Sequence, residues 1–235
     1  MPTPQSRRER PAKPALTREG IIDTAVSLME REGLQRVTMR RLAQALDTGP
    51  ASLYVYVANT AELHSEILDR LLGRVELDSS PVGADWRTRL DAVLASYEEV
   101  LFAHPALAQS ALSARPSGDN YLTLLDTLLA LLAEGGVPDR QAAWGVDLLL
   151  QSATSSAAEH SARREDSRAE QDWARLRQNL AEASAEVHPH VRAQAGNLVS
   201  GTPSERRLWS VNMLVNGIQS TPVTVEATAD GTSGE

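Results

Sequence analysis

The chain has 235 residues, of which 42% are apolar and none is cysteine. This length can bury the cores of two modest domains, whereas the missing cysteine excludes disulfide scaffolds, cysteine-based zinc fingers and thiol catalysis. The formal net charge of −8 is uneven, because residues 1–60 hold 9 basic and 6 acidic side chains and the remainder holds 14 and 25. A cationic N-terminal part can still attract phosphate, since screening confines charge effects to about 8–10 Å.

The N-terminal stretch 1–15 is basic and proline-rich, with Arg7, Arg8, Arg10 and Lys13 among four prolines. Proline disfavours helix, so we predict a disordered basic arm. It is either a solubilising tail or an arm that lies along phosphates or in a minor groove. No signal peptide is visible and no apolar run is long enough to span a membrane, so we expect a cytoplasmic protein without a membrane partner.

The first helix is predicted over Thr17 to Glu32. Thr17 is a suitable N-cap and Gly33 a C-terminal stop. An apolar stripe with a period of 3.6 residues marks its buried face, and it comprises Ile21, Ile22, Ala25, Leu28 and Met29. We expect this helix mainly to pack against the elements that follow.

Residues 38–60 predict two short helices joined by a turn. Thr38 is a good N-cap for the first helix. The turn falls at Asp47-Thr48-Gly49, where Gly49 tolerates a positive φ, and Pro50 pre-sets the first turn of the second helix.

In the second of these helices, Leu53 and Val57 can point back toward the first. The residues left facing outward include no acid, and they are Ala51, Ser52, Val55 and Tyr56. Such an arrangement is a helix-turn-helix, whose second helix fits the DNA major groove. Short helical hairpins are also common in all-α proteins, so the pattern alone does not establish DNA binding.

The segment from Leu16 to about Asp69 resembles the N-terminal domain of the TetR family of repressors. The resemblance rests on three blocks at the family's spacing, TMRRLA at 38–43, LYVYV at 53–57, and Asn59 with Glu62-Leu63. It implies an all-α fold with an N-terminal three-helix helix-turn-helix domain and a C-terminal helical domain for ligand binding and dimerisation. The implied domains are the arm at 1–15, the DNA-binding domain at 16–60, a connecting helix at 61–78, the effector and dimerisation domain at 86–219, and a disordered tail at 220–235.

The resemblance also implies roles in DNA binding. Arg40 matches the position that reaches into the groove, where a guanidinium can bond O6 and N7 of guanine. The hydroxyls at phosphate-contacting positions are those of Thr38, Ser52, Tyr54 and Tyr56. The surface of close approach, small enough to meet a thymine methyl, comprises Gly49, Pro50, Ala51 and Val55.

Three residues leave alternatives open. Tyr54 could instead be an aromatic at the edge of the core. Thr60 stands where a lysine is usual in the family, so one phosphate contact is missing unless the arm compensates. His64, on a connecting helix predicted over 60–77, is expected to be solvated surface, because its pairing with Glu66 is a weak indication of a metal or catalytic site.

The remaining chain predicts further helices, separated by a loop at 78–85 and by shorter breaks. They are expected at 86–102, 106–113, 121–134, 138–162, around Trp173 to Leu180, and 202–219. The leucines of 121–134 lie almost all round that helix, which predicts burial on several sides or the lining of a cavity. The charged stretch 161–171 predicts an exposed loop or a frayed helix end.

From Trp86 to Tyr121 the chain resembles the tetracycline-repressor branch of the family. The positions that hold a magnesium-tetracycline chelate there fall at Ala111, Val75 and Val93, whose side chains offer no donor to a hard cation. The resemblance therefore implies a metal-free, more apolar ligand and no cofactor. The pocket would be lined by Val75, Val93, Tyr97, Ala111, Arg115, Pro116 and Leu125, with Tyr97 and Arg115 as polar contacts; ordinary core packing is the alternative for each.

The family resemblance also implies a homodimer, in which helices 138–162 and 204–219 of two subunits form a four-helix bundle. Paired heads about 34–36 Å apart can then contact both halves of a palindromic operator. The predicted function is a transcriptional repressor released by a small, hydrophobic or polycyclic effector.

Two alternatives stay open at this point: a helical interaction module with weakened DNA binding, suggested by Thr60 and the acidic total, and an activator of the same family. An enzyme is not expected, because the sequence has no G-x-S-x-G, phosphate-binding loop or H-E-x-x-H. His188-Pro189-His190 is interpreted as a chance pair of histidines.

Overall fold

The computed structural model describes residues 15–112, 116–165 and 168–224, without the side chains of 161–165. The predictions for the arm before Ala15 and for the tail after Thr224 lie outside these residues. All regular structure in the described ranges is helical, as predicted. The α-helices are α1 Arg18–Glu32, α2 Met39–Ala45, α3 Pro50–Leu53, α4 Thr60–Leu72, α5 Trp86–Phe102, α6 Pro105–Ala111, α7 Asp119–Glu134, α8 Asp139–Glu165, α9 Ala169–Glu182, α10 Pro189–Leu198 and α11 Pro203–Ser220.

The chain divides into two compact units, and the boundary between Ile67 and Leu68 lies within α4. We refer to the unit before this boundary as the head and to the unit after it as the body.

Side-chain caps set the helix bounds in the head. The hydroxyl of Thr17 accepts from the amide of Gly20 at the start of α1, and Gly33, at φ 84°, ends that helix. Thr38 caps α2 by accepting from the amide of Arg41. Both caps are as predicted, and the fully buried side chains of the head core are Ile21, Leu28, Leu42, Leu53, Leu63 and Ile67.

The turn between α2 and α3 differs from the prediction in one residue. Asp47 takes the positive φ of 49°, whereas Gly49 is extended at φ −86°. Asp and Asn tolerate the left-handed region better than most residues, and the turn uses that tolerance one step before the glycine. Pro50 begins α3 as expected.

The helix α4 ends at Leu72, five residues before the predicted end. The amides of Arg74 and Val75 bond the carbonyls of Leu71 and Leu72 in tight turns. Gly73 directly follows the last helical residue. The apolar stripe nevertheless continues, since Val75 is buried outside the helix.

The body is built around α8, which packs against α5, α6, α7 and α11. Gly145 on α8 lies against Ile218 on α11 so closely that a Cβ at this glycine would be 2.8 Å from the isoleucine side chain. Arg207 on α11 pairs with Asp91 on α5, 2.8 Å apart. These contacts fix α11 against both of its neighbours.

Several predictions in the body needed correction. Pro105 and Asp119 begin α6 and α7 slightly earlier than predicted, and α8 continues through Glu165 instead of yielding to a loop at 161. The helix α7 buries Leu124, Leu128, Leu131 and Leu132, but Leu122 is 54% exposed, so it is not apolar on every side. The helix α10 was not predicted, and the supposed chance pair of histidines marks its start, with Pro189 as its first residue.

Candidate functional site

The outer surface of α3 and the turn on each side of it form an exposed tip in the head. The residues of this tip, here called the α3 tip, are Gly49, Pro50, Ala51, Ser52, Tyr54 and Val55, and all of them are exposed. Val55 is 81% exposed and Tyr54 53%, so Tyr54 does not lie at the core edge. Leu53 and Val57 are buried behind the tip, as predicted. The tip therefore presents small and aromatic groups with no negative charge.

Two neighbouring arginines of α2 differ in what they contact. Arg41 is bound by Glu32 of α1, with Nε and Oε2 3.1 Å apart, and the pKa of Arg41 is raised by this hydrogen bond. Arg40 is exposed and makes no ion pair or hydrogen bond with the described residues. Arg40 is thus the arginine of this pair that is available to a ligand outside the protein.

Tyr56 is less available than predicted. It is half-buried, and its hydroxyl donates to the carbonyl of Leu16, 2.8 Å away. The hydrogen that was expected to bind a phosphate is therefore bonded within the head, where it fixes the chain just before α1. Thr38 and Thr60 are both exposed. Thr38, however, already uses its hydroxyl as the cap of α2.

The start of α4 is tied to α1 by an ion-pair cluster. Nη2 of Arg18 lies 3.0 Å from Glu62 and 2.8 Å from Glu66. Because Glu66 is held by Arg18, it does not pair with His64. His64 is half-buried rather than exposed as predicted, its buried Nε2 has no hydrogen-bond partner among the described residues, and burial lowers its pKa.

A cavity of about 110 Å³ lies in the body, and we call it the Tyr97 cavity. Its lining comprises Leu68, Tyr97, Ala111, Leu112, Pro116, Tyr121, Asp147, Leu150, Gln151, Thr154 and Ser155. Of the predicted pocket residues, Tyr97, Ala111 and Pro116 belong to this lining. Arg115 lies outside the described residues.

The other predicted pocket residues do not line the cavity. Val75 and Val93 are buried core residues at 7% and 1% exposure, and Leu125 is half-buried without reaching the lining. Apolar side chains at these positions pack against their neighbours, which is the core alternative stated for them above. The prediction for these three residues was therefore wrong.

The polar groups of the Tyr97 cavity come largely from α8, which sequence reasoning missed. The hydroxyls of Tyr97 and Thr154 are 2.7 Å apart and both are buried. Burial raises the pKa of Tyr97 to about 12, so its hydroxyl is neutral. Asp147, Gln151 and Ser155 lie on the same side of α8 as Thr154, at i, i+4, i+7 and i+8. That helical spacing was the available indication.

Next to this cavity, Asp69 of α4 caps the start of α7. Its Oδ1 accepts from the amide of Tyr121 at 2.9 Å, and its Oδ2 accepts from the side-chain amide of Asn120 at 3.1 Å. Gly118, the N-cap residue, offers no side chain, and a Cβ there would lie 2.3 Å from Asp69. Asp69 thus satisfies the start of a helix that is distant in sequence, and it does so beside a cavity lined by Leu68 and Tyr121.

A third feature is an exposed apolar face on α8 and α11, here called the α8–α11 face. Its large exposed side chains are Trp144 at 63%, Leu148 at 43%, Trp209 at 67% and Met213 at 47%. A groove of about 380 Å³ between Trp144, Met213 and Gly217 runs along it. A large exposed apolar patch of this kind is typical of an interface between proteins.

Searches for two other kinds of feature found none within the described ranges. No group of three or more His, Asp or Glu side chains there could hold a metal ion. No helix there is both long and apolar enough to cross a membrane.

Family models match both parts of the chain. The model of the tetracycline-repressor-like C-terminal domain matches residues 81–221, and the model of tetR-family bacterial regulatory proteins matches residues 21–67. The chain belongs to the TetR family.

Solved structures of TetR-family regulators resemble this chain over most of its length. The transcription regulator SCO7704 of Streptomyces coelicolor is 54% identical, with a TM-score of 0.76, over 92% of this chain and 100% of that one. ActR of the same species, solved in complex with actinorhodin, is 32% identical, with a TM-score of 0.76, over 87% of this chain and 96% of that one.

Curated relatives match over shorter segments. An HTH-type transcriptional regulator of Saccharopolyspora erythraea is 36% identical over 57% of this chain and 55% of its own length. The repressor DrrR1 of Streptomyces coeruleorubidus is 32% identical over 57% of this chain and 49% of its own length. The chain thus spans about half the length of these two relatives.

Proposed function

We propose that this protein is a transcriptional repressor that binds a palindromic operator as a homodimer and is released by a small effector. The observation that carries the proposal is the exposed, acid-free α3 tip with the unpaired Arg40 beside it. On a chain of net charge −8, such a surface is where a phosphate backbone can approach without repulsion. The protein would act as a regulator, without catalysis, in the cytoplasm where the DNA is.

The contacts expected at the DNA divide into two kinds. Arg40 would specify sequence through a guanine edge, with Val55 and Ala51 against thymine methyls. Ser52, Tyr54 and Thr60 would bind phosphates and fix the register. Under this proposal, the DNA-binding domain spans 16–60, the connecting helix 61–78, and the effector and dimerisation domain 86–219.

The dimer would form through the α8–α11 face. Trp209 and Met213 of α11, with Trp144 and Leu148 of α8, expose a continuous apolar surface that a second copy would cover. A two-fold axis there would present two heads to the two halves of a palindrome, which is the usual match between protein and operator symmetry.

The effector would bind at the Tyr97 cavity. ActR, solved with actinorhodin and with (S)-DNPA, supports a small molecule as the effector. At about 110 Å³ the cavity is smaller than typical ligand pockets of about 300–1,000 Å³. A polycyclic effector would therefore have to widen it, and release from DNA follows if the widened state is one that fits the operator poorly.

The proposal for the DNA surface is tested by placing one negative charge on the α3 tip. The operator would first be selected from random DNA by the wild-type protein. Val55→Asp should abolish specific binding, because a carboxylate is brought to the phosphates. The matched control is Val82→Asp, a fully exposed site outside the head. Equal binding by both variants would overturn the assignment of the α3 tip.

An activator of the same family shares this surface, and the sign of the effector response distinguishes it. A repressor loses operator affinity when the effector binds, whereas a co-repressed regulator gains it.

A further inference from the structure

The largest cavity described in the body lies apart from the Tyr97 cavity. It measures about 680 Å³ and is lined by residues of α5, α8, α9 and α11 and of the loop before α11. None of its lining residues belongs to the Tyr97 cavity. We call it the Glu98 cleft after the acidic residue in its floor. Its volume lies within the range of about 300–1,000 Å³ that is usual for small-molecule sites.

Glu98 is a carboxylate on the apolar side of a helix. It is 4% exposed, and the α5 residues one turn before and after it, Leu94 and Leu101, are each 1% exposed. Such a group normally has an opposite charge in direct contact. Here the nearest cation is Arg207, whose Nε lies 3.7 Å from Oε2 of Glu98, beyond hydrogen-bond distance. Burial raises the pKa of Glu98 to about 7, as expected for a carboxylate that is incompletely paired.

The floor of the cleft has one surplus negative charge. The guanidinium of Arg207 is committed to Asp91, with Nη2 2.8 Å from Oδ2. One cation therefore faces two carboxylates. Oδ1 of Asp91 and Nη1 of Arg207 are buried and have no partner among the described residues, so the cluster is also short of hydrogen bonds.

The other charged lining residues do not supply the missing cation. Arg206 donates to the carbonyls of Leu198 and Ser200, at 2.7 and 2.8 Å. Glu159 and Arg177 are exposed and opposite in sign, and the ring of His160 packs edge-on against Phe102.

We propose that the Glu98 cleft is a second small-molecule site, which binds a hydrophobic amine with Glu98 as its counterion. The ammonium would neutralise the surplus charge and donate to the carboxylate. Leu94 and Leu149 would contact the apolar part of the ligand, and Trp173 offers an aromatic face to the cation. This site does not depend on DNA binding or on the proposed repressor function.

The test compares three probes that share one ring system, namely 2-(1-naphthyl)ethylamine, 2-(1-naphthyl)ethanol and 1-naphthylacetate. Calorimetry on the full-length protein at pH 8 should give an affinity for the amine at least tenfold above that for the alcohol, and no binding of the acetate. Amine affinity should rise about tenfold from pH 6 to pH 8, as Glu98 ionises. The indole N–H resonance of Trp173, assigned with Trp173→Phe, should shift with the amine.

Glu98→Gln should remove both the preference for the amine and its pH dependence, while leaving binding of the alcohol. Tyr97→Phe, in the other cavity, is the control and should change neither. If Glu98→Gln does not fold, the three-probe ranking and the pH series on the wild-type protein still decide. Tighter binding of the acetate, equal binding of amine and alcohol, or no binding of any probe would each overturn the proposal.

Discussion

At the scale of single residues, identical side chains next to each other have different tasks. Arg40 and Arg41 cannot be told apart by composition, and the resemblance alone favoured Arg40. The structure supplies the physical reason, since Glu32 holds Arg41 and leaves Arg40 exposed. Tyr56 is the opposite case, because the hydroxyl that was expected to bind phosphate is bonded to Leu16. Partners so distant in sequence are invisible to local pattern reasoning.

The two arginines provide a matched pair of variants. Arg40→Ala should weaken operator binding by about 1–3 kcal/mol and relax the preference at one base pair in each half-site. Arg41→Ala should leave the sequence preference unchanged, since its side chain is engaged within the head. Binding to a set of single-base operator variants measures both. An equal loss on every sequence would show that Arg40 contacts only phosphate.

Glu98 gives a pH prediction for stability. Its pKa is raised by burial from the ordinary value of 4.5 to about 7 in the folded protein. Between these values the folded state holds more protons than the unfolded state, so stability falls as pH rises from about 4.5 through 7. Glu98→Gln should remove this part of the decline. Urea unfolding of both proteins at pH 5 and pH 8 measures it, and an identical pH dependence of the two would contradict the assignment.

At the scale of elements, capping residues made most helix ends predictable. Thr17, Thr38 and Asp85 cap their helices by local hydrogen bonds, and Thr202 with Glu205 forms a full capping box. The end of α4 was missed because its apolar stripe runs past Gly73 to Val75. The helix α10 was missed because it buries no residue and so has no apolar stripe.

The cap on α7 was also unpredictable, since Asp69 comes from another helix. Asp69→Ala should lower the free energy of unfolding by about 1–2 kcal/mol, because the start of α7 loses its acceptor and the nearby charge. Asp126→Ala, exposed in the middle of α7, is the control. Urea unfolding measures the difference. A loss no larger for Asp69→Ala than for the control would mean that the contact contributes little.

At the scale of the whole molecule, the sequence predicted the fold class and the division into a cationic front and an acidic remainder. It did not predict the small size of the Tyr97 cavity or the existence of the Glu98 cleft. Both depend on side chains from several helices that are far apart in the chain. The resemblance placed Val75 and Val93 in a pocket that their packing in this molecule does not form.

The homodimer is a prediction at this scale. Trp209→Ser combined with Met213→Ser should weaken self-association at least tenfold, because both residues are central to the apolar α8–α11 face. Leu122→Ser, similarly exposed on α7, is the matched control and should leave association unchanged. Sedimentation equilibrium gives the dissociation constants. A wild-type protein that stays monomeric at micromolar concentration would contradict the dimer.

The central claim is that operator binding and effector binding exclude each other, and one titration tests it most directly. The purified protein would be bound to the DNA flanking its own gene at fixed salt, and polycyclic aromatic compounds would be added, beginning with actinorhodin. The account predicts tight, sequence-specific binding that at least one compound relieves. Specific binding that no compound alters would contradict the effector-released repressor, and no specific binding at any salt would contradict the DNA-binding assignment itself.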